Sequence, residues 1–190
     1  MSRALLLELE EVLEESGWGR PAMFYVIEGT EDKPVFLPFA EIAGHPCDVL
    51  QGMWRSGARP SERAIGLALG VEGERHLRLE EFKEREPEGY QGIYETAAEK
   101  YAGDLDVIET AVETAWREMC SEVSPASMPE SRRVHVRNSV AVLHNGWTLI
   151  VNRDQGGDPE ALDPVSPTRL TQSRVPDFMW QFLMGKEPVD

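Results

Sequence analysis

The sequence predicts an α+β fold: a mainly antiparallel sheet of about five strands packed with helices, in a single domain over 1–190. Three observations point there. Strand-forming segments come in neighbouring pairs, 22–28 with 34–39, 63–71 with 75–82 and 133–143 with 147–153, and short connections favour antiparallel pairing. Helical periodicity lies outside these pairs, whereas a βαβ array would alternate more regularly. A chain of 190 residues with 41% hydrophobic content is long enough for one domain with a substantial core.

Residues 3–16 read as an amphipathic helix, with Leu5, Leu6, Leu9, Val12 and Leu13 at helical spacing and Glu8, Glu11 and Glu15 opposite. Ser2 is its expected N-cap and Gly17 its stop. Its apolar stripe packs on a sheet or takes a partner. Residues 22–28 and 34–39 form a strand pair, and Pro34 and Pro38 push the second to an edge. Pro46 opens a short helix over 47–55. The apolar run 63–71 suits a central strand buried on both faces; after a turn at Gly73, residues 75–82 read as its neighbour. Residues 91–123 are helical, split at Gly103-Asp104, since glycine stops helices and aspartate caps them. Asn145-Gly146 between valine-rich strands reads as a two-residue type I′ hairpin. That turn sets Val142 opposite Leu149, Val140 opposite Val151 and His144 opposite Trp147. It gathers Val134, Val136, Val140 and Val142 on one buried face. Residues 155–167 are loop, with room for one helical turn, and 176–184 form a last helix, apolar nearly all round. That helix either closes the core or docks on a second chain. In the second case Phe178, Trp180, Phe182 and Met184 are the candidate interaction surface.

Asp and Glu number 34 against 19 Lys and Arg, a net charge of −15. Phosphate backbones and anionic membranes repel such a chain, so neither direct nucleic-acid binding nor membrane binding is expected. The nearest thing to a basic patch is Arg132, Arg133 and Arg137, which reads as a solvated strand face. No stretch approaches the length of a membrane span, and the N-terminus reads as no export signal. Two unframed cysteines then place the chain by default in a bacterial-type cytoplasm.

His45-Pro46-Cys47-Asp48 is the most reactive-looking cluster, because a thiol in a first helical turn has its pKa lowered by the helix dipole. A nucleophile also needs a held base and an oxyanion hole, which sequence neighbours seldom provide. The competing reading is a buried structural cysteine, as for Cys120. His45, His76, His135 and His144 show no metal-binding spacing, so no metal and no cofactor are expected. Gly66 and Gly70 read as close packing within a strand, and Asp154, Asp158 and Asp163 as turn formers.

The hairpin from Arg137 to Arg153, following the Gly-Leu-Ala-Leu-Gly strand of 66–70, resembles a pattern in uncharacterised actinobacterial and actinophage-type α+β proteins. The likeness covers about a third of the chain. That family has no assigned activity, so it implies no site residues; the arginine bias, 15 of 19 basic residues, fits such a source. The expectation is therefore an acidic, non-enzymatic interaction or regulatory module with a protein partner or self-association. The alternatives are a small hydrolase or other enzyme with a cleft of scattered Asp, Glu and His, and an acidic surface that mimics DNA.

Overall fold

The computed structural model describes residues 3–101, 104–165 and 174–189. Expectations for Ser2, Gly103 and the loop end at Ser166-Pro167 lie outside the described residues. Those that are described form six helices and a six-stranded antiparallel sheet, an α+β fold, in the order β2-β1-β3-β4-β5-β6. The chain divides into two compact units, 1–73 with 136–190, and 74–135.

The first unit holds α1 (Arg3–Ser16), β1 (Met23–Thr30), β2 (Lys33–Glu41), α2 (Pro46–Arg55), the start of β3 (Gly66–His76) and the end of β4 (Arg133–Leu143). It continues with β5 (Thr148–Asp154), β6 (Glu160–Ala161) and α6 (Arg174–Leu183). Alternation along each strand sends side chains to opposite faces. Phe24, Val26, Leu67, Leu69 and Val142 join residues of α2 and α6 in one core. Tyr25, Ile27, Ala68, Ala141 and Leu143 join Leu5, Leu9 and Leu13 of α1 in another. The sheet of this unit is thus buried on both faces, with β3 central and the proline-bearing β2 at the edge, as its missing N–H groups require. Gly66 shows why the central strand carries glycine. A Cβ there would meet Leu143 Cδ2 and Val142 O at 2.9 Å.

The hairpin corrects the expected register. Val142 pairs with Thr148, Val140 with Ile150 and Ala141 with Leu149. The loop has three residues: Leu143 N–H donates to Trp147 O, and Gly146 N–H to Leu143 O. Gly146 has a φ of 82°, but no other residue type has positive φ among the described residues, so Asn145 does not fit a type I′ turn. One extra loop residue shifts the register by one, and a shift of one exchanges faces. Leu149 and Val151 consequently share a face with Ala141 and Leu143, opposite Val142. His144 lies exposed in the loop instead of facing Trp147. The loop after β5 carries the two-residue β6 and a bridge between Thr148 and Val165, where a helical turn had room to form.

The second unit begins with the end of β3, which runs straight through Gly73 with no turn. Residues 79–85 then coil into α3 (Leu79–Arg85), overturning the strand expected over 75–82. Glu81 decides this: its side chain accepts from Arg78 N–H at 2.6 Å, capping the helix start, and from Arg75 in a two-pronged pair at 2.7 Å. Leu79 and Phe82 are three apart on the resulting helix, and Phe82 stacks on Trp116 at 4.1 Å. Helices α4 (Pro87–Lys100) and α5 (Leu105–Glu122) form the expected split helical segment. Asp104 caps α5 by accepting from Val107 N–H. Ala97, Ile108 and Val112 form the buried centre of their contact. Two short 3₁₀ turns, Pro125–Ser127 and Glu130–Arg132, fill the loop before β4.

Candidate functional site

Charge is handled differently at two places, one in each unit. In the first unit, the side chain of Arg137 is only 2% exposed. Its Nε and Nη2 donate to Glu72, its Nη1 to Glu14, and Nη2 also to the carbonyl of Gly17. The Trp18 ring covers the guanidinium at 4.4 Å. Beneath it, Glu10 is buried and accepts a hydrogen bond from Ser139 Oγ. Its second oxygen lies 3.8 Å from Arg137 and has no hydrogen-bond partner. Burial pushes the Glu10 carboxyl up, against the opposing pull of Ser139 and Arg137. A cavity of about 410 Å³ lies alongside, bounded by Leu13, Pro21, Tyr25, Pro38 and Glu41. Each nitrogen of Arg137 already donates within the protein, so the cluster is a clamp between α1 and the sheet.

Arg132, Arg133 and Arg137, expected on a solvated strand face, are instead each paired with a carboxylate. Arg137 is among the most buried large side chains. In the second unit Arg132 pairs with Glu86 at 2.7 Å and Arg133 with Glu74 at 3.1 Å. Glu10 escaped notice in the sequence, although it lies four residues after Leu6 and three before Leu13, on the apolar side of α1. That position, together with Arg137 and Ser139 alternating into line with Ala141 and Leu143, was the available signal.

The second place is a groove of about 1000 Å³ along α4 and α5. Gly92 and Thr96 line it from α4, and Thr110, Ala111, Thr114 and Ala115 from α5. Each set recurs every three or four residues, so it lies on one helix face. All three threonine hydroxyls donate to the carbonyl four residues back, Thr96 to Gly92, Thr110 to Asp106 and Thr114 to Thr110. Their hydroxyl protons are thus used within their own helices. Leu105 is 65% exposed and Val107 41% at the start of α5. Asp104, Asp106 and Glu118 border the groove together with Lys100, on a helix pair (87–122) whose sequence carries nine carboxylates against Lys100 and Arg117. The sequence reading missed the groove; small residues at three- and four-residue steps on two adjacent helices were its only trace.

The residues singled out from sequence do not converge. His45 caps α2, its Nδ1 accepting from Cys47 N–H at 3.3 Å. Cys47 is buried in the core, and burial pushes its thiol up, opposite to the shift a nucleophile needs. Asp48 is exposed and also raises that thiol. Cys120 is half-buried with its thiol likewise raised by burial. His76 contacts Met128 Sδ at 3.2 Å, and His135 lies 3.7 Å from Glu74. On α6, Phe178 and Phe182 are buried in the core, which removes them from the candidate surface. Trp180 is half-buried and Met184 is 41% exposed. The helix is amphipathic once folded, because one side faces the sheet and α2. Among the described residues, no group of three or more His, Cys, Asp or Glu is arranged to hold a metal ion. No described helix is long and apolar enough to cross a membrane. No family model, curated protein or solved structure matches the chain.

Proposed function

We propose that this protein is an acidic, non-enzymatic interaction module, whose working surface is the helical hairpin of α4 and α5. One observation carries the reading: an open apolar groove lies along two helices that carry a large excess of carboxylate. Exposed apolar side chains such as Leu105 and Val107 cost solubility unless they serve a contact. The surrounding carboxylates restore solubility and select the charge of the partner. A cytoplasmic setting of actinobacterial type belongs to the same reading, supported by two free cysteines and the arginine bias.

A photoreactive residue placed at Thr110, and separately at Glu41 beside the smaller cavity, tests it in the full chain inside an actinobacterial host. The reading expects one mass-identified protein adduct from Thr110, lost when Thr114→Trp fills the groove. It fails if Thr110 gives no adduct while a metabolite library raises the melting temperature and protects the Glu41 position.

A further inference from the structure

We infer that the occupant of the α4–α5 groove is a basic amphipathic helix presented by another protein. The inference rests on the interaction reading above and names its partner by chemistry. At 1.5 Å per residue, the 14-residue α4 and 18-residue α5 extend about 21 and 27 Å, long enough to seat a segment of four to five turns. Two helices packed side by side leave a valley between them, into which the ridge of a third packs. Glycine, alanine and threonine on the valley wall let a third backbone come close. Thr96, Thr110 and Thr114 have spent their hydroxyls on their own helices, so the floor offers apolar contact and few hydrogen bonds. An extended strand would leave its backbone groups unpaired there, whereas a helix satisfies its own.

Asp104, Asp106 and Glu118 border the groove against the single cation Lys100, and Glu95, Glu99 and Glu109 stand exposed on the same two helices. Of the two cations in 87–122, Lys100 lies over the Tyr101 ring and Arg117 pairs with Glu113. A second copy of this chain, at −15, would bring like charge to like charge. Anionic membranes and nucleic acids meet the same repulsion. A helix with one leucine stripe and flanking lysines answers both the floor and the rim.

The test uses the full chain and three synthetic 18-residue peptides: a leucine-striped lysine helix, the same stripe with glutamate, and a lysine–serine peptide without the stripe. Fluorescence anisotropy should show the leucine–lysine helix binding at least about tenfold tighter than either control. Thr114→Trp should weaken it about tenfold by filling the groove, and Glu118→Lys about threefold by reversing one rim charge. Circular dichroism and unfolding of each variant establish that both still fold; Thr114 and Glu118 are exposed. Equal binding of the lysine–serine peptide would overturn the inference in favour of bare charge attraction. Unchanged binding by a folded Thr114→Trp would overturn the location. Sedimentation showing a dimer abolished by Thr114→Trp would replace the basic helix with a second copy. If the peptides fail while the Thr110 adduct persists, the occupant is wrong and the interaction reading stands.

Discussion

The Arg137 cluster of the first unit and the α4–α5 helix pair of the second use charge in opposite ways. In the first, Arg137 and the nearby Glu10 are 2% and 1% exposed in their side chains, and the cluster ties α1 to the sheet. In the second, the hairpin's Arg117 and Glu113 are 73% and 59% exposed. A buried pair is over-determined: removing one member strands the other in a low dielectric. An exposed pair is worth little to the fold and leaves its charge available to a partner. The large acidic surplus is therefore not one property. Part of it is fixed structure, and part is a field around an open groove.

Removal of Arg137 should hurt the fold most. Arg137→Met should cost about 3–5 kcal/mol in urea unfolding, because Glu10 loses its nearest cation while remaining buried. Arg137→Met with Glu10→Leu should recover most of that loss, since an apolar pair of similar volume replaces the stranded charge. A single variant that unfolds like wild type would mean that the cluster is an onlooker.

Glycine substitutions separate packed from open backbone at the next magnitude. Gly66→Ala places a methyl 2.9 Å from Leu143 Cδ2 and from the backbone oxygen of Val142, and should cost about 1–3 kcal/mol. Gly73→Ala meets nothing within 4 Å and should be neutral or stabilise by up to about 1 kcal/mol. Equal losses at the two sites would contradict the close approach at Gly66.

Acid titration contrasts two carboxylates. Burial raises Glu10, so its contribution is fully present below the ordinary value near 4.5 and fades as pH rises through its folded value. Hydrogen bonds from Arg75 lower Glu81 to about 2, so its contribution is present above 4.5 and lost as pH falls toward 2. Glu81→Gln should destabilise at pH 7 by on the order of 1–2 kcal/mol and converge with wild type as pH falls through that window. Glu10→Gln should show the reverse trend, its stability relative to wild type rising with pH. Parallel unfolding curves for wild type and Glu81→Gln from pH 7 to 3 would remove the Arg75–Glu81 pair from the account.

What the sequence made legible follows from range. Periodicity and caps act within a few residues, so α1, α2, the break before Asp104 and the strand pair β1 and β2 are readable. Asn145-Gly146 announces a hairpin but suits both two- and three-residue loops, and the one-residue difference moves Leu149 and Val151 to the other face. Leu77 and Leu79 alternate like a strand, while the capping that makes 79–85 a helix needs Glu81 to bond back to Arg78. Arg137 looks solvated in a charged sequence, because its partners lie 65 and 123 residues away. The groove depends on how two helices meet, which no local pattern records.

The smallest effect is the most discriminating for the second unit. Arg117→Ala removes one end of an exposed pair with Glu113 and should cost only about 0.3–0.5 kcal/mol. It also removes one of two cations from the hairpin, so the leucine–lysine helix should bind about twofold tighter at low salt, with the gain vanishing near 0.5 M. In the first unit, by contrast, loss of Arg137 is expected to register in stability first. If Arg117→Ala weakened the peptide instead, the rim would be acting through shape and not through charge, and the division between fixed and available carboxylates would fail where it matters for binding.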